Sequence, residues 1–465
     1  MEKLFYILKQ KGSITADEYD LLIATMKEED AAKERASQPT PSTPPALVDR
    51  LEKTESKVEN LESSVLSTRG QVEELSRIRD DTSPSTMSKS DLDALLSNKW
   101  YERLKISGYG QFRGDGLLRS TGGDLHVPAD AFASDGQTFG VRRGRIKISG
   151  DVTDHLYLYA QLDYFGSAGG VNVLQARDYY ADVSLDPARE SRVRLGMSKI
   201  PFGWVNMQSS QNRLALERPD AINSAVEGER DFGVYYMWAP YEIRNRFKDL
   251  VKMGLRGSGD YGVIAFGAYN GQGINRSDAN GQPHYLARLA YPFEFDNGQI
   301  LELGIAGYRG KFVPTVSGGA GAPTFGRGGV ADERVGLTAI LYPQPFGIEA
   351  EWNWGRGPQL DVASNTIIPQ SLQGGYVQAC YRHVFANQRE LIPFVRWQTY
   401  DGGRKFATNA PRDQVDEIGV GVRYIPYPEL ELSLMYNRGT RTNTTVAPYP
   451  DVKYDYIGIQ AQINF

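Results

Sequence analysis

From Trp100 to Phe465 the chain is a succession of segments of about ten residues in which apolar and polar side chains alternate, parted by Gly, Asn, Asp and Pro. Alternation with period two puts successive side chains on opposite faces of an extended strand. In 104–113, Leu104, Ile106, Gly108, Gly110 and Phe112 share one face, and Lys105, Ser107, Tyr109, Gln111 and Arg113 the other. In the last segment Ile457, Ile459, Ala461, Ile463 and Phe465 lie opposite Tyr456, Gln460, Gln462 and Asn464. A soluble β-sandwich alternates in the same way. The number and length of the runs, the aromatic residues near their ends (Tyr164, Trp238, Tyr291, Trp354, Tyr424) and the terminal Phe465 favour an all-β transmembrane barrel with a lipid-facing band and a polar interior. No stretch approaches the ~18 consecutive apolar residues of a membrane-spanning helix. Runs begin near 104, 140, 155, 174, 191, 232, 250, 261, 284, 299, 333, 345, 373, 389, 414, 429 and 453. Joining 232–238 and 250–257 as one interrupted strand predicts about 16 antiparallel strands, enough to leave an aqueous channel.

The first hundred residues differ in kind. Residues 1–36 predict a short helical module: Leu4, Ile7 and Leu8 form an apolar stripe, and Thr15 with Glu18 forms a capping box before Tyr19, Leu21, Leu22 and Ile23. A Pro-rich linker spans 37–46. In 47–79 a heptad runs through Leu47, Leu51, Thr54, Val58, Leu61, Val65, Thr68, Val72 and Leu75, predicting a short coiled coil. A linker and a short helix fill 80–99, the helix at about 90–98. The opening MEKLFYILKQ lacks the apolar core of a signal peptide, although a barrel of this kind must be exported, so either the export signal is absent from this numbering or the chain is not such a barrel.

Charge is unevenly placed. Residues 1–99 hold 14 of the 52 basic and 19 of the 57 acidic residues, so the rest is balanced at 38 of each. Thirty of those 38 basic residues are Arg, whose forked donors suit planar anions or a lumen laced with ion pairs. Arg113, Arg143, Arg145, Arg194, Arg256, Arg382, Arg396 and Arg423 fall on the lumen parity, and rings of basic side chains select anions. The bland alternative pairs them with Asp163, Asp178, Asp182, Glu302, Glu349 and Glu351. The segment 199–231 breaks the alternation and predicts a loop that folds inward and narrows the bore.

Within 139–238, the pieces Val-Arg-Arg-Gly-Arg (141–145), Arg-Asp-Tyr-Tyr-Ala-Asp-Val-Ser (177–184), Val-Arg-Leu-Gly-Met (193–197), Pro-Phe-Gly (201–203), Ser-Ser (209–210) and Ala-Leu-Glu-Arg (215–218) resemble, in order and spacing, the phosphate-selective porin O and P family. The resemblance implies a trimer of 16-stranded barrels and passive anion uptake. It implies an anion site at the constriction formed by Arg142, Arg143, Arg145 and Arg218, with Ser209 and Ser210 as hydroxyl donors and Asp178 as the matching acid. Arg113, Arg194, Arg256, Arg382, Arg396 and Arg423 would line the pore. Phosphate-binding members place lysines where this chain has Asn206 and Gln211, a departure that points toward general anion or small-solute passage.

Enzymatic readings find little support. His126, His155, His284 and His383 are widely separated, with no metal-ligand spacing, and the single Cys380 is on the lumen parity. No cofactor and no nucleic acid are expected. The sequence therefore predicts an outer-membrane porin in contact with lipid, itself and small anions or solutes, its extension in the periplasm. Two rivals stay open: a structural protein tethering the envelope by binding the cell wall or a periplasmic partner through residues 1–79, and a barrel sheathing a partner such as a cytochrome.

Overall fold

The computed structural model describes residues 100–123, 125–128, 130, 139–166, 172–442 and 449–465. The expected helical module (1–36), linker (37–46), coiled coil (47–79) and helix at 90–98 lie outside the described residues. After a 3-10 turn at Trp100–Arg103 come sixteen long strands: β1 (Leu104–Thr121), β2 (Gly140–Asp151), β3 (Leu156–Gly166), β4 (Asn172–Ser184), β5 (Ser191–Lys199), β6 (Arg230–Trp238), β7 (Ile264–Tyr269), β8 (His284–Glu294), β9 (Ile300–Phe312), β10 (Val330–Leu341), β11 (Phe346–Asp361), β12 (Thr366–Tyr381, resuming at His383–Val384), β13 (Glu390–Gly403), β14 (Arg412–Tyr427), β15 (Leu430–Thr442) and β16 (Asp451–Asn464). Each pairs antiparallel with the next, and β16 pairs with β1 from Asn464↔Tyr109 to Lys453↔Thr121, so the sheet closes on itself without an edge.

The seam depends on the last residue. Phe465 N–H donates to Gly108 O at 3.0 Å and Gly108 N–H to Phe465 O at 2.7 Å. A Cβ on Gly108 would come within 2.6 Å of the Phe465 ring, so the aromatic end can dock only on glycine.

Facing follows the sequence parity. Ile106, Phe112, Ile459, Ile463 and Phe465 are outward and exposed, whereas Tyr109, Gln111, Arg113, Tyr456, Gln460 and Gln462 are buried inside. Tyr164, Tyr291 and Trp354 are exposed on the outer surface, with Trp238 and Tyr424 half-buried on the same parity. An apolar outside and a polar inside suit a barrel whose solvent is lipid.

One sequence expectation is corrected. The run at 250–257 is no part of a strand. The connection between β6 and β7 contains a helix, Tyr241–Lys252, followed by coil. Ile243, Phe247 and Leu250 recur at helical spacing and are buried, while Glu242, Lys248 and Asp249 stay exposed. The strand count survives because that run drops out, not because it merges with β6. The strand expected near 373 also begins earlier, at Thr366.

Connections after even-numbered strands are tight apart from this helical one, and those after odd-numbered strands include the longer loops. The loop between β5 and β6, residues 200–229, turns into the lumen and carries two single-turn helices, α1 (Trp204–Met207) and α2 (Asp220–Asn223), all of whose residues are buried. The long helix is thus α3. Trp204, Val205 and Ile222 of the loop pack with Ile243, Phe247 and Leu250 of α3 against Ile300, Ile340, Tyr342 and Tyr376 of the wall.

Candidate pore constriction

Gly203 lets the inward loop turn into α1: its φ is +76°, and a Cβ there would meet Ile222 Cγ2 at 2.6 Å. The first amides of α1 have no partner within the helix and need acceptors from outside it. Glu351 of β11 supplies them, accepting from Trp204 N–H at 2.5 Å and Val205 N–H at 2.8 Å while Tyr376 donates its hydroxyl at 3.0 Å.

Arginines around the wall hold the rest of the loop. Arg334 donates to Ala221 O and Ser224. Arg396 donates to Glu217 O at 2.6 Å, Arg423 to Leu214 O at 3.2 Å, and Arg441 to both carboxylate oxygens of Asp220. From the opposite side Gln111 and Gln462 donate to the carbonyls of Ser210 and Gln211. A chain crossing a lumen must satisfy its own carbonyls and amides, and the wall does this here.

Two carboxylates of the loop gather the guanidinium groups. Glu217 accepts from Arg142 Nε at 2.6 Å, Arg143 Nη2 at 2.7 Å and Arg113 Nη1 at 3.3 Å. Arg113 also bonds Asp115 and Asp130. Glu229 lies 3.0 Å from Arg213, 3.2 Å from Arg218 and 3.7 Å from Lys199, and it accepts from Arg230. Burial alone would push both carboxyls up. The surrounding cations outweigh it, with Arg142 and Arg143 leading at Glu217 and Lys199 and Arg218 at Glu229, and hold both well below the usual carboxylate range. Arg143, Arg213 and Arg218 act on one another as well, and of the seven cations about Glu217 and Glu229, Arg113 also pairs with Asp115 and Asp130, and Arg230 with Asp178.

The expected residues distribute as follows. Arg142 and Arg143 meet the inward loop at Glu217, and Arg218 stands on the other side of that loop at Glu229, its Nη1 bonded to Asn206 Oδ1 at 2.7 Å. Arg145 bonds Asp163 at 2.9 Å and the hydroxyls of Tyr109 and Ser210. Ser210 is thereby tied to the wall, while Ser209 faces a cavity beneath the loop. Asp178 does not oppose Arg142, Arg143 and Arg218: it binds Arg230 at 2.9 Å and accepts from Gln161. Asn206 is completely buried and donates to Phe202 O and Ile222 O, so it braces the loop instead of facing solute; Gln211 does line the cavity.

Of the expected pore-lining arginines, Arg113, Arg194, Arg396 and Arg423 project inward from strands and are buried. Arg194 forms a bidentate pair with Asp182 at 2.7 and 2.8 Å. Arg256 is not on a strand; it lies in the coil after α3 with φ +68° and pairs with Glu431 at 3.1 Å. Arg382 interrupts β12 at the short-turn end and pairs with Glu390. Sequence reasoning missed Arg334, Arg441 and Glu351 as loop anchors. Strand parity places all three inside, but it cannot say which meet the loop.

The family model for phosphate-selective porin O and P matches residues 118–465. No curated protein sequence matches the chain. Similar solved structures include the outer membrane channel DcaP of Acinetobacter baumannii (13% identity over 78% of this chain and 97% of that one, TM-score 0.46). They also include Salmonella typhi OmpF in complex with daunomycin (14%, 78% and 97%, TM-score 0.49). A third is the trimer form of Vibrio cholerae OmpT (13%, 78% and 99%, TM-score 0.43).

Proposed function

The chain belongs to the phosphate-selective porin O and P family, and on that premise we propose that it is an anion-preferring diffusion porin of the outer membrane, trimeric, with residues 1–99 in the periplasm. The observation that carries the preference is the excess of cations over carboxylates where the inward loop crosses the bore: seven cations, Arg113, Arg142, Arg143, Arg213, Arg218, Arg230 and Lys199, against five carboxylates, Glu217, Glu229, Asp115, Asp130 and Asp178. A net positive constriction lowers the energy of an entering anion and raises that of a cation. Because nearly every guanidinium there already holds a carboxylate, a passing oxyanion competes with an internal partner. Binding is therefore weak, which favours release and throughput.

Phosphate specificity is not part of the proposal. Asn206 has no access to the bore, and the hydroxyl of Ser210 is already engaged. The sheath reading has little room, since the 200–229 loop and α3 occupy the lumen that a threaded partner would need. A tether through residues 1–79 is compatible with the channel, and dependence of cell-wall co-sedimentation on those residues would support it. The test of the main reading is the zero-current potential of the purified protein in planar bilayers across a KCl gradient. A chloride-directed potential is expected. A potassium-directed one would refute the anion preference.

A further inference from the structure

Beneath the inward loop lies a cavity of about 400 Å³ bounded by four separate parts of the chain. The wall contributes Lys147 of β2, Tyr157 and Tyr159 of β3, and Tyr180 of β4; the loop contributes Ser209 and Gln211. Lys248 of α3 and Tyr261 of the coil after it close the remaining side.

Most charge here is neutralised internally. Arg194 is held by Asp182, Arg230 by Asp178, and Asp260 by Arg192 and Arg244. Lys199 is bonded to the carbonyls of Met207 and Gln208. Lys147 and Lys248 differ: neither has an ion pair or side-chain hydrogen bond among the described residues. They approach the same space, one half-buried in the wall and one exposed on the helix. Beside them Tyr159 and Tyr180 stack at 5.1 Å with planes 12° apart, and the Arg194 guanidinium lies 3.9 Å from the centre of the Tyr180 ring.

We propose that this cavity is a second binding site, below the constriction, for a hydroxylated ring bearing an anionic group, the shared chemistry of sugar phosphates and sugar acids. Two ammonium groups without an ion pair, one of them within the influence of Asp260, can receive an anion. Size argues against a bare inorganic one: at roughly 30 Å³ per water the space is equivalent to about a dozen waters, far more than phosphate fills. The tyrosines and the loop amide and hydroxyl suit a ring with hydroxyl groups, because an aromatic flank offers apolar area and the polar tips offer hydrogen bonds. The site extends the channel reading above, in that such a solute would pause there during passage.

The test is calorimetric titration of the full-length, detergent-purified protein with glucose 6-phosphate, gluconate, glucose and inorganic phosphate, repeated with Lys147→Met/Lys248→Met and with Tyr159→Leu. The proposal expects both organic anions to bind more tightly than either glucose or inorganic phosphate. It expects the double lysine variant to weaken them at least about tenfold, as loss of charge-assisted hydrogen bonds should. Tyr159→Leu should weaken the organic anions and leave inorganic phosphate unaffected. Equal binding of inorganic phosphate and the sugar anions, equal binding of neutral glucose, no binding of either sugar anion, or indifference to the lysine pair overturns it. Chloride conductance, measured in parallel, reports on the channel reading by itself: a conducting parent that binds no sugar anion refutes the site and leaves the porin intact.

Discussion

Replacing Glu351 by Ala removes the acceptor for two buried amides at the start of α1, Trp204 N–H at 2.5 Å and Val205 N–H at 2.8 Å. Leaving a buried donor without its acceptor costs about 1–3 kcal/mol, so the change weakens the anchoring of one end of the loop by roughly 2–6 kcal/mol. With each 1.4 kcal/mol worth a factor of ten, the middle of that range raises the population in which residues 203–207 leave the wall by at least about a hundredfold. The loop is still pinned by Arg334, Arg396, Arg423 and Arg441, so the fault stays local and the sixteen-strand wall persists. Val205 is 4% exposed, which makes it a reporter. In a background carrying Cys380→Ser, a Val205→Cys thiol should react slowly with a charged maleimide and about a hundredfold faster once Glu351→Ala is added, with larger and noisier single-channel currents. Glu333→Ala, which breaks an exposed outward pair with Arg356, is the control and should change neither. Equal labelling rates with and without Glu351 would refute the claim that this carboxylate holds the loop.

Other outcomes follow from the same geometry. Gly108→Val should block closure of the β1–β16 seam against Phe465 and cut outer-membrane levels severalfold, as should Ile463→Asp/Phe465→Asp, since outward charges cost up to a few kcal/mol each; immunoblots of membrane fractions read this, and normal levels would contradict the facing. Glu217 and Glu229 are depressed in the folded protein, so their stabilisation is complete above the unfolded value of about 4.3 and is lost as pH falls through their lower folded values. These two carboxylates should therefore leave the conductance unchanged from pH 8 to about 5 and make it noisy only in strong acid; a Glu217→Gln variant that alters the pH dependence of conductance between pH 5 and 8 relative to the parent would contradict the assignment. Removal of residues 1–99 should leave a heat-sensitive trimer on native gels, because four heptads are marginal alone; a truncated protein running only as monomer would count against barrel-mediated assembly.

Much of the fold was legible because a barrel writes its facing directly into the chain. Ile459 and Gln460, adjacent in sequence, must go to lipid and lumen, and they do. The inward loop was equally visible as the place where alternation stops. Strand periodicity misleads at the connection holding α3: 250–257 matches a period of two, although Ile243, Phe247 and Leu250 carry the helical spacing. The site was legible by residue type but not by partner. Arg143 faces inward by strand parity, but Arg142 joins it only because the β1–β2 register slips there, Gln111 pairing with Arg143 and Phe112 with Val141, which alternation does not reveal. That both end on Glu217, seventy-odd residues on in a loop, follows from how that loop crosses the bore, which no local pattern encodes. Asn206 shows the same limit, since a family position that would hold a solute-facing lysine is here turned inward to brace its own loop.

Whether the constriction charge selects the solute is decided by the ion preference of a variant in which Arg142, Arg143 and Arg218 are all replaced by Ala. The change strips two of the three cations from Glu217 and one from Glu229, leaving Glu217 with Arg113 and Glu229 with Lys199, Arg213 and Arg230. In planar bilayers under a KCl gradient the zero-current potential should move from the chloride side toward the potassium side. A triple variant with the parent's potential would mean that these arginines only hold the loop, and that the charge selecting the solute lies elsewhere.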